Sequence, residues 1–148
     1  MATIAESATV ARGADDVWAL LADFGAIARW APNVDHSSMT TEAEGGLGAT
    51  RRVQLGRNAL LEVVEEWVPS ERLTYRINGL PPVLKNVTTT WTLAPKGDST
   101  TVVMTTVIDA GSRPPQRLVA RGVGRAMAKA SRQMLTGLQT TLEEGVHR

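Results

Sequence analysis

The stretch Pro114-Pro115-Gln116-Arg117-Leu118-Val119-Ala120-Arg121-Gly122-Val123-Gly124-Arg125-Ala126-Met127 opens a run of helically spaced apolar residues that continues to about Glu144, and it decides the fold. Proline is tolerated in the first turn of a helix, and Val123, Met127, Met134 and Leu138 form one apolar stripe, so the spacing predicts a single long amphipathic helix. Upstream of it, from Asn33 to Asp109, the chain reads as strand and turn. One sheet is thus offered one long helix to pack on. A sheet curled around a single helix cannot fill its concave side with that helix's side chains alone, so this order predicts an internal cavity. The polar residues that point into it become the candidates for function.

Working outward, residues 3–11 alternate apolar and polar, with Ile4, Ala8 and Val10 on one face, as in a half-buried strand. Gly13 breaks it, Asp15 and Asp16 supply an N-cap and favourable charge at a helix start, and Val17, Leu20, Leu21 and Phe24 recur at helical spacing. Gly25 ends that helix, Ala26 to Trp30 make another turn or two, and Pro32 forces the chain out. Six further strands are read at about 34–43, 49–56, 59–68, 72–78, 85–94 and 99–109. Turn signals separate them at Gly45-Gly46, Gly56, Pro69-Ser70, Gly79 with Pro81-Pro82, and Lys96-Gly97-Asp98. Connections this short imply a consecutive antiparallel meander, and with the first strand the fold class is α+β with a seven-stranded sheet.

Composition sets the bounds. A chain of 148 residues, 43% hydrophobic and 21% charged, makes one domain over 1–148, able to bury roughly 70% of its unfolded surface. The start, Met1-Ala2-Thr3-Ile4-Ala5-Glu6, lacks the blocks of a signal peptide, and no apolar run is long enough to span a bilayer, so a cytoplasmic protein with no integral membrane association is expected. Zero cysteines remove disulfides and thiolate chemistry, and two histidines, His36 and His147, are too few for a histidine metal cluster. Neither metal nor cofactor is expected. A net charge of +1 gives no overall pull toward nucleic acid.

Within 49–56, strand parity puts Arg51 on the side of Val53 and Leu55, the apolar side. An isolated buried guanidinium costs several kcal/mol (~3–5), so Arg51 requires a carboxylate or a ligand. The next strand, Leu60-Leu61-Glu62-Val63-Val64-Glu65-Glu66-Trp67, has an acid on each face, and its parity alone does not say which glutamate answers. Tyr75 shares a face with Leu73 and Ile77, and Trp91 shares one with Val87 and Leu93; both serve as core aromatics or as cavity wall.

Ala14-Asp15-Asp16-Val17-Trp18-Ala19-Leu20-Leu21-Ala22-Asp23-Phe24, Arg29-Trp30-Ala31-Pro32, Gly48-Ala49-Thr50-Arg51, Glu62, Arg72-Leu73-Thr74-Tyr75, Leu84-Lys85-Asn86 and Thr90-Trp91 together resemble the START-like helix-grip superfamily (SRPBCC), most closely its polyketide cyclase/dehydrase and lipid-transport branch. The resemblance covers nearly the whole chain; its motifs are fairly specific for the fold and weak for the substrate. It implies a helix-grip fold in which Arg51 and Glu62 project into the cavity and Trp30 stands near its mouth, with Asn33 and His36 following. It also implies that loop 79–84, with Leu80, acts as a lid, and it brings in Asn86. With Tyr75, Trp91, Val123, Met127 and Met134 these complete the expected ligand-binding set.

Two roles then stand for the pair. Arg51 polarises a ligand oxygen while Glu62 moves a proton during enolisation, aldol closure or dehydration, or both merely anchor the polar head of an apolar molecule. The expected partner is a small apolar or aromatic ligand that is polyketide-like or lipid-like. The functional alternatives are a cyclase or dehydratase and a non-catalytic binding or transport protein. A third draws on the row Arg113, Arg117, Arg121, Arg125, Lys129 and Arg132, whose spacing suits an anionic surface, an acidic partner or simply solvent. An interaction protein of that kind predicts a filled interior. Nucleic acid is not expected, because no aromatic residue lies in this stretch to stack on bases.

Overall fold

The computed structural model describes residues 2–82, 84–110 and 114–144, with the side chains of 114–117 and 120 left aside. Val83 of the expected lid, Arg113 of the basic row and His147 lie outside the described residues, as does the side chain of Arg117. The elements are β1 (Ala2–Val10), α1 (Ala14–Ala22), a 3-10 helix (Phe24–Arg29), β2 (His36–Met39), β3 (Thr50–Leu55), β4 (Asn58–Val68), β5 (Arg72–Asn78), β6 (Asn86–Lys96), β7 (Ser99–Asp109) and α2 (Pro114–Glu144). The strands form one antiparallel sheet in the order β1-β7-β6-β5-β4-β3-β2. This is the expected helix-grip architecture.

Two local expectations are corrected. The N-cap of α1 is Gly13, with no side-chain cap; Asp15 and Asp16 sit inside the first turn, where they still favour the positive end of the helix. Asp15 Oδ1 instead accepts a hydrogen bond of 2.6 Å from Ser70 Oγ. β2 is shorter than the stretch read for it, covering four residues rather than the whole of 34–43. Its task is local: Ser37 Oγ donates to the carbonyl of Gly25 at 2.7 Å and accepts from Ala28 N–H at 3.0 Å, tying the 3-10 helix to the sheet edge.

The parity ambiguity of β4 has a physical cause. Its pairing with β5 runs Val64 to Tyr75 and then Glu66 to Thr74, so Glu65 is an extra residue in a bulge. Before the bulge Leu60, Glu62 and Val64 face inward; after it the phase flips, and Trp67 comes opposite Leu73. Glu65 and Glu66 consequently lie on the outer face, paired with Arg76 at 3.1 Å and Arg72 at 2.6 Å. Both pairs are solvent-exposed and of the kind that contributes under about 1 kcal/mol.

Helix α2 packs chiefly along β1. Arg132 pairs with Glu6 at 2.8 Å, and Gln139 Nε2 donates to the carbonyl of Thr9 at 2.9 Å. Near its end Leu135 and Leu138 are buried in the larger apolar cluster, with Phe24, Ile27, Trp30, Tyr75 and Trp91. A smaller cluster, Leu84, Val87, Ile108 and Ala110, lies apart, with Ile4, Val123 and Met127 packed on it. One helix thus meets two separate pieces of core.

The helix approaches the 3-10 segment so closely at Gly137 that an added Cβ would stand 2.6 Å from Pro32 Cδ and collide with the carbonyl oxygen of Trp30. Backbone cannot yield as a flexible side chain does. Gly137→Ala is expected to destabilise the protein by about 1–3 kcal/mol despite alanine's better helix propensity. Urea unfolding checks this, and a stabilised variant would show that the helix is free to move away.

Candidate functional site

The space between the two apolar clusters is a cavity of about 400 Å³. Its wall is mostly aliphatic: Leu55, Leu60, Ile77, Leu80 and Met104 from the sheet side and the following loop, and Val123, Ala126, Met127, Ala130 and Met134 from α2. The methionines give that wall a surface able to adapt to different shapes. Into it the chain places Asn33, Asn58, Glu62, Tyr75, Thr89, Thr106 and Ser131. The filled interior expected of a pure interaction module is absent.

Glu62 and Arg51 are opposite each other on β4 and β3. They are 5% and 2% exposed, and two guanidinium nitrogens of Arg51, Nε and one terminal nitrogen, each stand 2.7 Å from Glu62 Oε1. The other terminal nitrogen donates to the carbonyl oxygen of Phe24 at 2.9 Å. The Arg51 guanidinium carbon is also 3.8 Å from the centre of the Phe24 ring and 4.8 Å from that of Tyr75. An arginine suits this place because its planar cation both stacks on rings and forks onto oxygens.

Glu62 lines the cavity and Arg51 does not. Arg51 stands behind Glu62, walled off by two rings, so the expectation that it polarises a ligand oxygen is replaced by one in which it holds and neutralises the carboxylate.

Tyr75 is the diagonal neighbour of Glu62 on the same inner face, since its direct partner on β4 is Val64. Its oxygen accepts a hydrogen bond of 3.1 Å from Trp91 Nε1. Burial, with Glu62's negative charge adding to it, pushes the Tyr75 phenol well above its ordinary range. The phenol is therefore a neutral donor, with the indole fixing its oxygen. On the floor formed by β6 and β7, Thr89 and Thr106 share a hydroxyl hydrogen bond of 2.9 Å. Asn33 presents a side-chain amide whose nitrogen and oxygen are both buried without a hydrogen-bond partner.

Of the expected ligand-binding residues, Asn33, Tyr75, Leu80, Val123, Met127 and Met134 line the cavity. Four do not. Trp30 and Trp91 are buried against each other, ring centres 5.8 Å apart, and form the layer behind the wall. His36 and Asn86 are exposed, the first on the edge strand and the second at the start of β6, where the outward face of each strand reaches solvent. Sequence reasoning missed the polar lining residues Asn58, Thr89, Thr106 and Ser131, although Thr106 follows Met104 and precedes Ile108 at inward parity and Ser131 lies one turn from Met127 and near Met134. A hydroxyl at inward parity among mostly apolar positions was the available signal.

A family described as polyketide cyclase / dehydrase and lipid transport matches residues 1–143. Among solved structures, a protein from Thermobifida fusca is similar at 30% identity, TM-score 0.76, over 97% of this chain and 96% of that one. The Zhui aromatase/cyclase from a Streptomyces species is similar at 18% identity, TM-score 0.74, over 97% of both chains. The di-domain ARO/CYC BexL is similar at 19% identity, TM-score 0.78, over 97% of this chain and 47% of that one. No curated protein matches by sequence.

The buried pair predicts an asymmetry. Glu62→Ala or Arg51→Ala leaves a lone buried charge and is expected to cost about 3–5 kcal/mol, whereas the double change Arg51→Met with Glu62→Leu is expected to be near neutral. A double-mutant cycle by urea unfolding checks this, and small additive losses would mean that the pair is solvated.

Tyr75 is the only tyrosine, so phenolate absorbance reads it alone. The unfolded chain ionises near pH 10 and the folded one does not, so the unfolded state binds fewer protons above that pH and stability falls as pH rises. Phenolate absorbance should stay flat through pH 10 in folded protein and appear only with unfolding. A simple titration centred near pH 10 with the fold intact would show that the phenol reaches solvent.

Proposed function

The chain belongs to the polyketide cyclase/dehydrase and lipid transport family, and from that premise we propose that it binds a small, largely apolar organic molecule in the cavity and promotes its cyclisation or dehydration by proton transfer. The observation that carries this is the placement of the Glu62 carboxylate and the Tyr75 phenol as diagonal neighbours on an otherwise mostly apolar wall. In this reading Glu62 accepts the α-proton of a bound ketone. The Tyr75 O–H donates to the oxygen on which the enolate charge develops. Arg51 touches no substrate; it is a positioning residue that holds the Glu62 carboxylate in place. Exclusion of water by the apolar wall strengthens each of these interactions.

Carriage without chemistry is the second reading, and the spread of the remaining polar groups favours it: Asn33, the Thr89–Thr106 pair and Ser131 come from different elements. Exchange of the α-protons of 2-tetralone in deuterium oxide, followed by proton NMR, separates the two. Wild type is expected to accelerate exchange, Glu62→Gln to lose about a hundredfold, and Tyr75→Phe to lose about as much. Exchange no faster than in buffer, with 2-tetralone bound, leaves the carrier.

A further inference from the structure

The cavity wall is electrically one-sided. Among the described residues Glu62 is the only charged one that lines it, and the cation that balances Glu62 is out of a ligand's reach. Arg51 is buried, its nitrogens directed to Glu62 Oε1 and the Phe24 carbonyl, with the Phe24 and Tyr75 rings against its face. Two guanidinium nitrogens converge on the same carboxylate oxygen, Oε1, which leaves Oε2 as the better placed of the two to meet a ligand. An ionised carboxylate only accepts hydrogen bonds.

The other polar groups on the wall are neutral. They comprise the amides of Asn33 and Asn58, the Tyr75 phenol held in its protonated form, and the hydroxyls of Thr89, Thr106 and Ser131. Such a wall offers a hydroxyl, phenol or enol an acceptor at Glu62 and neutral donors elsewhere. To a carboxylate the described residues of the wall offer no cation, a like charge, and loss of the ligand's own hydration.

We propose that the cavity selects neutral, hydroxyl- or carbonyl-bearing apolar molecules and rejects free carboxylic acids in their ionised form, fatty acids included, with Glu62 as the residue that imposes the choice. This deepens the cavity-binding reading above and rests on it. The Asn33 amide, unpaired on both its atoms, gives a neutral carbonyl or hydroxyl a second contact.

Three probes of one skeleton separate charge from shape: 2-naphthol, 2-naphthoate and methyl 2-naphthoate, titrated against the whole protein at pH 7.5 by isothermal calorimetry. The naphthol and the neutral ester are expected to bind, and the naphthoate at least about tenfold more weakly than the ester; any smaller difference overturns the selection. If the naphthol alone binds, shape rather than charge decides and the proposal falls. If none binds, the cavity-binding reading itself falls and takes the proposal with it. In Glu62→Gln, which is uncharged and nearly isosteric, naphthoate should rise to within about threefold of the ester, and persistence of the preference in folded variant would remove Glu62 from the role. Should that variant fail to fold, the three-probe comparison on wild type still decides.

Discussion

Everything in this molecule follows from a mismatch of areas: a seven-stranded sheet presents more concave surface than a single helix can cover. The C-terminal part of α2 is buried in one patch of core, built with α1 and the 3-10 helix around Trp30, Tyr75 and Trp91, while Val123 and Met127 pack on another, around Val87 and Ile108. The middle is left unfilled. A larger side chain at Ala126 or Ala130 would close part of the gap, and the chain carries alanine at both. The void is a property of the fold's proportions.

Within that frame the polar chemistry is layered. The wall holds a carboxylate and a phenol, and the next layer holds what orients them: Arg51 behind Glu62 and Trp91 behind Tyr75. Arg51 also grips the carbonyl of Phe24, so one side chain joins the sheet interior to the 3-10 helix. Side chains positioned in this way lose little freedom when a ligand arrives, because their rotamers are already constrained.

The fold was largely readable because its punctuation is strong. Glycine and proline mark most of the turns, and four of those glycines, Gly46, Gly56, Gly79 and Gly97, adopt positive φ, which other residues resist. The long helix announced itself by spacing alone. Orientation on β3 followed from simple alternation, which put Arg51 inside. It failed on β4, because a bulge at Glu65 changes the phase midway and no residue type marks it. The site was legible only to the first layer. Parity tells which side a residue faces but not its depth, so Trp91 reads as wall when it stands behind it, and Trp30, set near the mouth by resemblance, stands in that deeper layer too. His36 and Asn86 entered through resemblance and chain proximity rather than through facing, and the structure turns both to solvent.

The void also makes the molecule compressible in a directional sense. Empty internal volume is eliminated when a protein unfolds, so hydrostatic pressure favours unfolding in proportion to such volume. Here about 400 Å³ lies between two clusters that share one helix, and whatever part of it water does not occupy is volume that pressure would remove. An occupant that replaces the void with matter removes this weakness without adding any contact among the protein's own residues. The filled molecule is thus mechanically stiffer than the empty one, and its resistance to pressure measures how completely the cavity is occupied.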